Sequence, residues 1–200
     1  MAGAYAAAKN SNINIPGQGH LSLAPDANAP LLVVFGGIDV HGTHSGVYMW
    51  NYMNALKGRF QIFVALSNTV NGTLAYRALT KTLESKQVTP SEQILYLFSG
   101  GFRPGIDVLS ASGPNVFSEI YLVDIWMGSS KVAEFYKMLA NNNAAKMTYV
   151  YTSFGANNEA ARDYIAGKLG VTHSTLVQGG VHEAGMHVHM RTNTTALSGI

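Results

Sequence analysis

The sequence predicts an α/β fold, a three-layer sandwich with a mostly parallel central sheet, and three observations carry that reading. Short apolar runs recur at 31–35 (LLVVF), 60–66 (FQIFVAL) and 94–98 (ILYLF). The first and last are continuous, which fits strands buried on both faces in the middle of a parallel sheet. Between the runs lie segments with apolar residues at helical spacing. Strand and helix alternate about five times, the pattern of a parallel sheet covered by helices with right-handed crossovers. Finally, LLVVF and ILYLF both end near a Gly-Gly pair, at the carboxyl ends where ligands of open parallel sheets bind.

The elements follow in order. Residues 1–30 read as an irregular lead-in punctuated by Pro16, Gly17, Gly19, Pro25 and Pro30, with one short strand at His20 to Leu23. Residues 31–200 read as a single domain. Its first strand, Leu31 to Phe35, stops at Gly36-Gly37, and a polar, glycine-rich loop follows (IDVHGTHSG). Thr43 or Ser45 is placed to cap the next helix, GVYMWNYMNALKG, which stops near Gly58. A strand at Phe60 to Leu66 precedes a helix at Thr73 to Lys86. After the central strand, Phe102 to Val108 reads as a loop or a short helix. A strand at Phe117 to Val123 places Asp124 at its carboxyl end. The helix Ser130 to Asn141 ends in an asparagine run, a C-cap signal. Met147 to Tyr151 is a strand, Asn158 to Leu169 a helix closed by Gly170, and Ser174 to Val177 a last strand before Gly179-Gly180 and a histidine-rich tail.

Composition narrows the function classes. Charged residues make up 12% and the formal net charge is +2, with no block of Lys or Arg, so no nucleic-acid partner is expected. The absence of cysteine excludes disulfides, thiolate zinc sites and a cysteine nucleophile. No apolar run approaches the roughly 18 residues of a membrane span, and the Ala-rich start lacks the basic region and long apolar core of a signal peptide. A soluble protein is therefore expected. No phosphate-cradling glycine motif is present, and no cofactor is expected.

The chemistry concentrates at strand ends. Ser99 follows the buried run and precedes Gly100-Gly101, which allow a tight turn, positive φ and close backbone approach. A nucleophile elbow needs such an exposed hydroxyl on a strained turn, with free backbone N–H groups beside it. In the Gly-x-Ser-x-Gly pattern Gly101 supplies the second glycine and Leu97 replaces the first. Asp124 and His182 follow two further strands, so a parallel sheet brings serine, acid and base to one edge. The order Ser99, Asp124, His182 is that of the α/β-hydrolase triad.

Over about residues 31–189 the layout resembles the α/β-hydrolases of the serine esterase and lipase type. The resemblance implies a soluble enzyme cleaving an ester or similar acyl bond of a small-molecule substrate through an acyl-serine intermediate. It implies Ser99 as nucleophile, His182 as base with His187 and His189 as alternatives, and Asp124 as acid. Glu159 stands in reserve, because the family's acid usually follows the penultimate strand. It places oxyanion donors near Gly37 and at Gly100; separately, the stretch IDVHGTHSGVYMW offers His41, His44, Tyr48 and Trp50 as candidate substrate contacts.

Two other readings compete. Asp39, His41 and His44, with His182, Glu183, His187 and His189, are dense enough to bind zinc, which would make a metal-dependent hydrolase. HEAGMH has one residue too many for the zincin motif, whereas His187 and His189 would share a face of a strand. The third reading is a non-catalytic α/β binding module, with Asp124 capping a helix and Gly36-Gly37 a plain turn.

Overall fold

In a computed structural model of the chain, the residues described are 12–37, 46, 49, 50, 53, 56–123, 125, 132–142, 144–151 and 174–178. Eight strands form one sheet: β1 (Asn12–Ile15), β2 (Gly19–Ser22), β3 (Leu31–Phe35), β4 (Gln61–Ala65), β5 (Gln93–Phe98), β6 (Glu119–Val123), β7 (Lys146–Tyr151) and β8 (Ser174–Gln178). Their order is β1-β2-β4-β3-β5-β6-β7-β8. From β4 through β8 every pairing is parallel, while β2 joins β4 antiparallel and β1 joins β2 antiparallel. The stretch expected to be an irregular lead-in thus holds a hairpin that extends the sheet.

Side chains alternate across the strands and build two cores. Leu31, Val33 and Phe35 of β3, with Leu95 and Leu97 of β5, face α1 (Gly72–Ser85), α2 (Phe102–Ser112) and α3 (Val132–Ala140). Leu32, Val34, Ile94, Tyr96 and Phe98 face the other way, against Met49, Met53 and Leu56. Each fully buried apolar side chain contributes about 1.5–3 kcal/mol relative to exposure, which explains why these strands carry no polar alternation. Gln61 is the buried polar residue at the start of β4, and it is satisfied. Its Oε1 accepts from Ala24 N at 2.8 Å and its Nε2 donates to Asp26 O at 2.6 Å, tying the segment before β3 to the sheet.

The helices begin where their chemistry allows. Asn71 caps α1, its Oδ1 accepting from Leu74 N at 3.0 Å. Asp107 of α2 also serves that terminus: its carboxylate accepts from Gly72 N at 3.2 Å, a favourable charge at a helix start. Instead of a loop or short helix, α2 is an 11-residue helix. Pro104 does not break it, because in the first turn the missing N–H would have no intrahelical partner.

Glu92, Glu119 and Lys146 lie at the amino-terminal edge of the sheet. Ser118 Oγ donates to Glu92 Oε2 at 2.6 Å, and Lys146 Nζ lies 3.4 Å from Glu119 Oε1. Tyr121, on the same face as Glu119, donates to Glu119 Oε2 at 2.6 Å. Burial, and then the Glu119 carboxylate it serves, push the Tyr121 phenol well above its ordinary range.

Candidate active site

The run Ile94–Phe98 drives β5 through the sheet centre, between β3 and β6, and delivers Ser99 at its carboxyl end. The chain reverses at once. Ser99–Gly101 is a 3-10 turn, and α2 starts at Phe102. Ser99 has φ +48°, the left-handed region. For a non-glycine residue that costs about 1–2 kcal/mol. The positive φ that the turn needs is carried by the serine itself and by neither Gly100 nor Gly101.

The glycines serve close approach. A Cβ on Gly37 would lie 3.1 Å from Ser99 Cβ and 3.2 Å from two ring atoms of Phe98. The backbone leaving β3 is therefore pressed against the serine. A Cβ on Gly101 would lie 2.4 Å from Phe35 O and 2.9 Å from Gly36 O. Each strand end occupies space that a side chain on the other would need. Gly101, the residue that opens α2, offers no side-chain cap, so the amide-rich start of the helix follows directly on Ser99. Ser99 retains 6% of its surface, enough to place it beneath the surface and not on it.

Other candidates are placed in part. Phe98, which precedes Ser99, is the register partner of Val123 on the adjacent strand β6. Asp124 itself, Glu159, and His182, His187 and His189 lie outside the described residues, as do Asp39, His41, His44 and Glu183. Gly46, two residues after His44 in the chain, donates its N–H to Leu66 O at 3.0 Å. The Trp50 ring lies 5.9 Å from the His20 ring, tilted to it by 58°, has the Lys57 ammonium 4.5 Å from its centre, and packs on the second core. Among the described residues no group of three or more His, Asp or Glu is placed to hold a metal ion, and no helix is long and apolar enough to cross a membrane. A surface cavity of about 430 Å³ between the carboxyl ends of α2 and α3, lined by Leu109, Gly113, Met138 and Asn142 among others, lies at the opposite end of α2 from Ser99 and contains no ionisable group.

No protein-family model matches the chain, and no curated protein sequence matches it. Solved structures do. An alpha-beta serine hydrolase homologue from Coxiella burnetii has a TM-score of 0.57 at 13% identity, covering 94% of this chain and 95% of its own. The fold is that of the α/β-hydrolases. The fluorophosphonate-binding serine hydrolase F of Staphylococcus aureus is similar over 92% of this chain and 95% of its own, with a TM-score of 0.59 and 13% identity. A poly(3-hydroxybutyrate) depolymerase from Bordetella parapertussis has a TM-score of 0.57 at 12% identity, with 91% and 84% covered. Ser99 sits at a strand–turn–helix corner between β5 and α2. Its strained backbone had no clear signal in the sequence, where only the flanking glycines marked a turn.

Proposed function

We propose that this protein is a serine hydrolase that cleaves an ester or similar acyl bond of a small molecule. The observation that carries the proposal is Ser99 held at φ +48° between β5 and α2, with the Gly37 backbone against it. Strain of that kind persists only where surrounding structure over-determines it, and it concentrates at functional sites. Solved structures described as serine hydrolases share the fold, which adds support by analogy.

In the proposed reaction Ser99 Oγ attacks the acyl carbon while His182 takes its proton. The imidazolium then protonates the leaving group as the acyl-serine forms. Water, deprotonated by the same imidazole, attacks the acyl carbon, and the imidazolium returns that proton to Ser99 Oγ as the acyl–oxygen bond breaks, which frees the acid and restores the serine. Asp124 orients the imidazole and stabilises its charged form. Backbone N–H groups near Gly37 and of Gly100 bind the developing oxyanion, worth about 3–4 kcal/mol per donor. The base must return across β6 and β7, because β8 lies three strands from β5, about 14 Å away. Four residues separate Gln178 from His182 and can span at most about 14 Å, while nine and eleven separate it from His187 and His189 and can span more.

Intact-protein mass after incubation with a fluorophosphonate tests the reading. One adduct on the wild type and none on Ser99→Ala is the expected result. A wild type without adduct would overturn it, and metal analysis of the same sample would then address the histidine-rich loops.

A further inference from the structure

Leu97 stands two residues before Ser99, where the elbow pattern has glycine, and the structure shows how the elbow accommodates it. Leu97 is fully buried and faces the core shared with α1, α2 and α3. On the helix side, Phe102, Gly105, Ile106 and Leu109 are buried and recur at helical spacing, so Gly105 faces the sheet. A Cβ on Gly105 would lie 2.6 Å from Leu97 Cδ1, 3.0 Å from Cδ2 and 3.4 Å from Cγ. All three nearest atoms belong to Leu97. The room normally left by a small residue on the strand is left here by a glycine on the helix.

Resting on the serine hydrolase reading, we infer that Gly105 is a positioning residue for Ser99, matched to Leu97. The first turns of α2 are held at two other close approaches, Gly101 against Phe35 O and Pro104 O against Gly72, where a Cβ would come within 2.4 Å and 2.1 Å. Backbone meets backbone at both, the first against β3 and the second against the start of α1, so the first turns of α2 have little room to shift. A methyl group added at residue 105 must therefore displace Leu97, and Leu97 shares its strand with Ser99 two residues on. Helical propensity alone favours alanine over glycine at an interior helix position, so an adverse effect there reports packing.

The test compares Gly105→Ala, Leu97→Val and the double variant Leu97→Val/Gly105→Ala, which moves one carbon from strand to helix and conserves the total. Each folded protein is reacted with a fluorophosphonate, and both the second-order rate and the final stoichiometry of the adduct are read by intact mass. Gly105→Ala is expected to label to full stoichiometry but at least about tenfold more slowly, since small displacements of a reacting group are costly. The double variant is expected to recover to within about threefold of the wild type. A reduced final stoichiometry with an unchanged rate on the labelled fraction would mean plain unfolding and would overturn the positioning role. So would a wild-type rate for Gly105→Ala, or a double variant as slow as Gly105→Ala. If Gly105→Ala does not fold, a folded and reactive double variant supports the pairing and an unfolded one refutes it. A wild type that takes no adduct fails the hydrolase reading itself, and with it this role, whereas the other outcomes bear on Gly105 alone.

Discussion

β3 and β5 lie side by side in the sheet, carry buried apolar runs of nearly the same kind, and both end at glycine pairs. They differ by one inserted residue. After Phe35 the chain enters Gly36-Gly37, and after Phe98 it enters Ser99 before Gly100-Gly101. The end of β3 accepts its neighbour passively: Gly37 makes room for Ser99 and Phe98. The end of β5 holds the strain, at Ser99, and also drives a helix start onto the carbonyls of β3 through Gly101. Two similar signals in the chain thus do different physical work. One yields space, and the other stores conformational energy under a hydroxyl.

Substitutions can break that contrast in steps. Gly101→Ala should have the largest effect on stability, a loss of about 2–3 kcal/mol by urea unfolding, because the added methyl meets a carbonyl oxygen that has no rotamer to yield. The residue sits at φ −63°, where alanine is otherwise welcome, so a neutral result would mean that the two strand ends are less closely joined than described. Next comes Ser99 itself. Ser99→Gly should be more stable than Ser99→Ala by about 1 kcal/mol, since glycine alone relieves the positive φ. Equal midpoints would place no strain at the turn. Smallest in stability is Gly37→Ala, under about 1 kcal/mol, because its neighbours are side-chain atoms that can give by a few tenths of an ångström. Its mark should appear instead as an adduct rate about tenfold slower. An unchanged rate would separate the end of β3 from the chemistry.

The apolar runs make most of the sheet legible in the sequence, because strands buried on both faces leave no polar interruptions to misread. The helix at 72–85 was legible for the complementary reason, a clear stripe of Ala75, Tyr76, Leu79 and Leu83. The hairpin of β1 and β2 was missed apart from a short piece at His20. Asn12–Ile15 is brief, half exposed and followed by Pro16-Gly17, and the strand it pairs with, β2, joins the sheet only through β4, about forty residues further along the chain. α2 was underread because Pro104 and Gly105 count against a helix locally, while the reasons to keep both are a first-turn position and the contact with Leu97. Of the site, Ser99 and its glycines were legible as a turn. The sharing of labour between them was not, since φ at a serine is set by the strand and helix it joins.

β3 has a further consequence through its place in the sheet. Both of its partners, β4 and β5, come later in the chain, Leu31 pairing with Gln61 and with Gln93. During synthesis LLVVF therefore waits for about 30 residues with no partner on either side, and for about as many again with only one. At ribosomal speeds of about 5–20 residues per second, each wait lasts about 2–6 s. A five-residue, uncharged, β-prone segment left open for seconds is the kind that pairs with copies of itself. Pro30 on one flank and Gly36-Gly37 on the other keep it too short to extend. The glycines that make room for the serine in the finished molecule thereby also guard the nascent chain.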